Sequence, residues 1–233
     1  MALNKIDINY PLEGKVGERT LIGGVLSLTS AFLFPLIFLF GYYVDIFRET
    51  KMGNDTPPEF TTEKLGQYTL DGLVATGVFL FHSLIIALPL TAILLTVTSG
   101  DPTMASTTSP SGGLATGSSI PWIILGMLGI GLVTIAYTAI TVPASLGLYV
   151  NKDSTLAMIS PLQIIKLIFT KNYIIASILS SIIGLMLAGV TFVLALIPLI
   201  GGLISVFIQF PALVLTQRIF AVAITTELSH TQS

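Results

Sequence analysis

One side chain able to do chemistry lies well inside an apolar stretch of this sequence: His82, with Ser83 beside it. Ionisable residues in such stretches are costly to keep there, so each is a functional candidate by default. A single buried histidine is more often a hydrogen-bond partner for a neighbouring helix than a proton relay. Gln209, the second candidate intramembrane polar residue, reads the same way, as a polar link between helices rather than a filter. Asp45, Asp71 and Glu227 fall at the ends of apolar runs, so no carboxylate is expected deep in any segment. That removes the acids on which proton-coupled carriers depend. The chain has no cysteine, hence no thiol nucleophile and no thiolate metal site. No serine is placed convincingly against a histidine, and no Gly-rich phosphate loop is present. The expectation is a non-enzyme with no catalytic residues, no metal and no cofactor.

The elements that would carry these residues follow from composition. Of 233 residues, 53% are hydrophobic and 9% charged, against roughly 25% charged in an ordinary soluble domain. Several uncharged runs exceed the roughly 20 residues that cross a hydrocarbon core of about 30 Å. In lipid only helices and closed barrels satisfy the backbone, and these runs lack the period-2 alternation of a barrel. The fold class is therefore all-α: a polytopic helical bundle, one membrane domain over residues 1–233, multi-pass in the cell membrane. Five hydrophobic segments are expected, at about 20–47, 71–98, 120–149, 173–197 and 203–226. Ala2 to Tyr10 reads as a short interfacial piece or a disordered tail. Residues 99–119, rich in Ser, Thr, Gly and Pro, read as a flexible external loop. Trp122 and Tyr149, near opposite ends of the third segment, suit aromatic anchors at the two interfaces. Ser160-Pro161-Leu162-Gln163 has the form of a capping box with proline at the first helical position. It opens a helix over 161–172 that either lies in the interface or extends the fourth segment outward.

Basic residues set the topology. Arg48, Lys51 and Lys64 follow the first segment, Lys152, Lys166 and Lys171 lie between the third and fourth, and Arg218 is near the end of the fifth. Residues 45–70, 150–172 and the C-terminus should therefore face the cytoplasm. Lys5, Lys15 and Arg19 precede the first segment. A full crossing would strand these three outside, whereas a bent or re-entrant hairpin keeps all ten Lys and Arg on one side. Pro35, with Gly23-Gly24 upstream, makes the hairpin feasible. About 24 residues also suffice for one clean span, so both forms stay open, with the charge balance favouring the hairpin.

Ala176, Ser180, Gly184 and Ala188 form a small-residue stripe at four-residue spacing, which would let a second helix approach closely, in this chain or another. Lys166 and Lys171 are candidate contacts for lipid headgroups. The expected partners are the bilayer itself and, through the stripe, a second copy or another membrane protein. A net charge of −2 argues against nucleic acid.

Between the first two segments lies a cytoplasmic collar. Tyr42 and Tyr43 suit the headgroup layer, and Arg48 can pair with Asp45 or Glu49. Pro57-Pro58 stiffens the chain so that Phe60, after Glu59, can anchor back on the membrane. The pattern YPLEG (Tyr10 to Gly14), LIGG (Leu21 to Gly24), a mid-segment proline, GYY, Gly53, PPEF and Asp71-Gly72-Leu73 resembles the archaeal membrane-protein family called domain of unknown function 4013. IPLIGG (Ile197 to Gly202), Phe207 and Arg218 are similar to that family's closing helix. The resemblance implies a multi-pass archaeal membrane protein with no assigned activity. Phe210-Pro211 departs from it, where an unbroken aromatic helix would be expected. Three functions are compatible with these residues: a non-enzymatic scaffold or accessory membrane subunit, a small transporter or channel for a neutral or apolar solute, and a lipid-handling protein.

Overall fold

The computed structural model describes residues 7–30, 32–98, 120–197 and 200–231. The expected loop at 99–119 and the stretch from Ala2 to Ile6 lie outside them. Among the described residues every regular element is helical: α1 (Val16–Leu28), α2 (Leu33–Met52), α3 (Leu65–Thr98), α4 (Ile120–Lys152), α5 (Thr155–Met158), α6 (Pro161–Ile168), α7 (Lys171–Ala195) and α8 (Ile200–Thr231). Four helices are long and apolar enough to cross a membrane, over Thr62–Leu95, Ile124–Lys152, Lys171–Ala195 and Ile200–His230. Their outer faces carry large apolar side chains that no described residue covers; Leu185 and Phe192 on α7 are 76% and 70% exposed. Apolar exposure on this scale needs a non-aqueous surrounding.

The first hydrophobic segment is not one long helix but two helices joined by a turn at Thr29–Phe32, the hairpin form of the two left open by the sequence. The chain doubles back there, because Lys15 before α1 reaches Glu59 beyond α2 at 3.0 Å. Pro35 does not make the bend. It sits in the first turn of α2, where a missing N–H leaves no intrahelical bond unmade. Gly23 and Gly24 do not bend α1 either. They give it a bare face, against which the Phe210 and Phe207 rings of α8 lie so closely that a Cβ would fall about 2.1 and 2.3 Å from ring carbons.

The chain forms two compact units, one of residues 1–78 and 140–233, the other of residues 79–139. In the first, α8 is the hub, packed against α1, α2, α7 and the short 3-10 turn Tyr10–Leu12. Residues Arg218 to Ile224 are buried all round, as expected only of a helix enclosed by neighbours. Pro211 leaves α8 unbroken, so the departure at Phe210-Pro211 changes a contact and not the helix. α7 runs antiparallel to α8, tied by Asn172 to Glu227 at 2.9 Å, Tyr173 against Phe220 at 5.2 Å between ring centroids, and Gln209 to Thr191 at 3.4 Å. In the second unit Gly126 of α4 lies against Leu94 of α3.

Other boundaries shift for local reasons. The helix expected over 161–172 stops at Ile168, and Thr170 with ψ 149° is extended before α7 begins at Lys171. It is therefore a separate helix and not an outward extension of α7. The capping box does not form: Ser160 makes no side-chain cap, and Gln163 instead accepts a hydrogen bond from Lys152 at 2.8 Å.

Candidate functional site

The collar is built on the end of α2. That helix stops at Gly53, whose φ of 83° lets its N–H return to the Thr50 carbonyl while Asn54 N–H reaches Glu49, a glycine C-terminal stop. This turn delivers three acceptors to Arg218 of α8: Thr50 Oγ1 at 2.7 Å, the Asn54 carbonyl at 2.8 Å and Asp55 Oδ1 at 2.9 Å. The guanidinium also stacks over the Tyr10 ring, 4.7 Å from its centroid, a favourable cation–π placement. Arg19 closes the N-terminal side by donating to the carbonyls of Pro11 and Glu13.

Two buried carboxylates hold the other side. Asp45 accepts from Lys64 at 2.8 Å and Tyr68 at 3.1 Å, with Arg48 at 3.7 Å. Asp71 takes Arg48 at 3.0 Å and the Tyr149 hydroxyl at 3.0 Å. Arg48 thus bridges α2 to α3 through Asp45 and Asp71 and does not pair with Glu49, which binds Lys64. Lys51 donates to the Val150 carbonyl at 2.8 Å, joining α2 to α4. Both carboxylates lie near helix ends, as expected, yet they are buried by the collar. Asp45 and Asp71 are 1% and 6% exposed, and burial at that level is sustained by charge pairing and donated hydrogen bonds.

The aromatic residues correct the headgroup reading. Tyr42 and Tyr43 are buried, not interfacial. Tyr42 donates to the Pro58 carbonyl at 3.2 Å and stacks on Phe60 at 4.3 Å. Phe60 therefore anchors inward, on Tyr42 and Phe210, and not on the membrane. Pro57 and Pro58 are buried beneath this stack, and the Glu59 carbonyl accepts from Tyr68 at 3.0 Å. Near the end of α4, the Tyr149 hydroxyl is engaged by Asp71. The Trp122 side chain lies outside the described residues.

Beside Arg218 opens a polar cleft of about 690 Å³, lined by Asp7, Tyr10, Glu13, Asp55, Arg218 and Thr225 among others. Burial pushes the Tyr10 phenol well above its ordinary range, against the opposing pull of Arg218 and Arg19. The Tyr10 hydroxyl has no hydrogen-bond partner among the described residues. At the rim the hydrogen bond to Glu59 raises the Lys15 ammonium.

The remaining sequence candidates are dispersed. His82 is buried in the second unit, its Nδ1 3.3 Å from the Tyr137 hydroxyl. Gln209 links α8 to α7 through Thr191. Among the described residues the small-residue stripe is covered in its first half: Ala176 is fully buried and the Ser180 hydroxyl is buried, but Gly184 has open space and Ala188 is exposed. At about 100° per residue a four-residue step drifts about 40° around the helix, so Ala188 lies roughly 120° from Ala176. Lys166 and Lys171 are exposed at the junction of α6 and α7. Among the described residues no group of three or more His, Cys, Asp or Glu is placed to hold a metal. Sequence reasoning missed the partnership of Asp71, Tyr149, Arg218 and Tyr10 with the collar. The one available signal was the need of Arg48 and Arg218 for partners in so apolar a chain.

Fold and collar together define a helical protein with membrane-length apolar helices, closed at one end of its larger unit by a buried ionic and aromatic network. The chain belongs to the family described as "Protein of unknown function (DUF4013)", which matches residues 25–196. The match takes in Gly41-Tyr42-Tyr43, Gly53 and Pro57 to Phe60 but stops short of Tyr10 to Gly14, Leu21 to Gly24 and Arg218. Comparison with curated proteins gave no significant match. Comparison with solved structures gave none either.

Proposed function

We propose that this is a multi-pass protein of the cell membrane acting as a non-enzymatic scaffold or accessory subunit, with the collar on the cytoplasmic face. The start of α3, the end of α4, the start of α7 and the end of α8 meet the collar network or tie to one another beside it. In a bilayer that arrangement corresponds to four crossings, with α1 and α2 as a re-entrant hairpin packed against α8. The basic residues then share one aqueous side, as the positive-inside rule requires.

One observation carries the scaffold reading. The collar's buried charges are used to lock α2, α3, α4, α8 and the N-terminal turn together, while carboxylates at its rim stay open. The side chains of Asp55 and Asp153 are 86% and 87% exposed. A rigid frame edged with solvated charge is a docking platform, because a partner meets it without an ordering cost. The test uses the absence of native cysteine. An Asp153→Cys variant carrying a photo-crosslinker should yield one discrete adduct in native membranes. Recovery of neither a partner nor a second copy would count against the reading.

A small carrier for a neutral solute is the second reading, favoured by the pairing of buried His82 with Tyr137 within apolar helices. Proteoliposome flux lost in His82→Ala would support it, and flux unchanged by that substitution would remove it.

A further inference from the structure

The turn between α6 and α7 carries an exposed lysine on each side, Lys166 and Lys171, and its apolar residues enter the wall of a furrow. The furrow has a volume of about 460 Å³ and is walled by Ile168, Phe169, Ile174, Ile178, Ile182 and Leu185. Phe169 is 76% exposed and Leu185 76%, so no described residue fills it. On α7, residues 171, 174, 178, 182 and 185 fall within roughly 80° of one another at about 100° per residue. Lys171 therefore heads the same helix face that lines the furrow. Lys166 stands three residues before Phe169 on α6, on the other side of the turn. Thr170, the residue placed to cap α7, turns its hydroxyl to the Leu167 carbonyl at 2.8 Å. The first N–H groups of α7 thus lack a side-chain cap and carry the positive end of the helix dipole.

We propose that this furrow seats one acyl chain of an anionic phospholipid, with its phosphate at Lys171 and Lys166 over the start of α7. Charge complementarity selects the head, and the apolar walls select the chain. A zwitterionic lipid of the same chains lacks the net charge that the lysines recognise. The site is separate from the collar and does not rest on the scaffold reading.

Native mass spectrometry of the purified full chain, titrated with dioleoyl phosphatidylglycerol or dioleoyl phosphatidylcholine, tests it. The first lipid should be retained at least about tenfold more strongly. Lys166→Gln with Lys171→Gln should erase that preference, and both positions are exposed, so the fold is not at stake. Ile178→Trp, which fills the furrow, should weaken retention while leaving the lysines in place. Equal retention of the two lipids, or a preference that survives loss of both lysines, overturns the proposal. So does displacement of phosphatidylglycerol by millimolar glycerol 3-phosphate, because the acyl chain would then contribute nothing.

Discussion

Gly41 of α2 lies flat against the Tyr68 carbonyl of α3, where a Cβ would come within 2.1 Å of the oxygen. About one turn away along the same crossing, Gly72 of α3 stands against the Ile37 carbonyl of α2, where a Cβ would come within 1.8 Å of the oxygen. Two glycines on opposite helices thus let two backbones touch, and that approach brings Asp45 and Arg48 to Lys64, Tyr68 and Asp71.

Gly41→Ala or Gly72→Ala should therefore force the helices apart and lower stability by about 1–3 kcal/mol or more. Gly77→Ala, on the same helix but with nothing within 4 Å, should be neutral or stabilise by up to about 1 kcal/mol. Thermal melts in detergent distinguish the two. Equal effects at Gly72 and Gly77 would remove the close crossing.

Asp45 and Asp55, which pair with Arg48 and Arg218, differ in burial, and their substitutions should differ accordingly. Asp45→Asn leaves Lys64 and Arg48 partly unpaired against a buried site and should cost about 3–5 kcal/mol. Asp55→Asn loses a partner that is 86% exposed and should cost at most about 1 kcal/mol. Chemical or thermal unfolding of both variants in one detergent checks the ranking.

Tyr10→Phe should not destabilise at neutral pH, although the residue is 1% exposed. Its hydroxyl is buried without a partner among the described residues, and removing such a group relieves a cost of about 1–3 kcal/mol. Burial raises the phenol's pKa in the folded chain, so the unfolded chain ionises first, near the usual value of about 10. The folded state then binds the extra proton, and this contribution to stability is full below that pH and lost as pH climbs above it. The variant should retain more of its stability at alkaline pH than the parent. A steeper alkaline loss in the variant would contradict this.

The hairpin places both its open ends together, as the 3.0 Å contact of Lys15 with Glu59 requires. Single cysteines at Gly17 and Asn54 should react with an impermeant thiol reagent from the same side of sealed vesicles. Labelling of the two from opposite sides would mean that the first segment crosses.

Some of this was written in the chain. Membrane-length apolar runs dictate helices because unpaired backbone is intolerable in lipid, and α3, α4, α7 and α8 appear where composition puts them. The doubling-back of the first segment was foreshadowed by Lys5, Lys15 and Arg19, since charge balance is a property of sequence. Its turn was misplaced at Pro35, because a proline fits equally well in the first turn of a helix. Among the described residues the stripe from Ala176 to Ala188 is covered at its start, because a four-residue spacing is only approximately a helical turn and drifts off the packed face.

What the sequence determines by itself is how each segment meets its solvent, because apolar runs and the placement of Lys and Arg act through local composition. Which polar groups find one another is a tertiary matter. Arg218 and Thr50 lie 168 positions apart, and Asp71 and Tyr149 lie 78 apart. Nothing local couples such residues. They pair because close-packed helices fix their ends in register, and a buried charge in a site of low dielectric must accept the partner that packing brings to it.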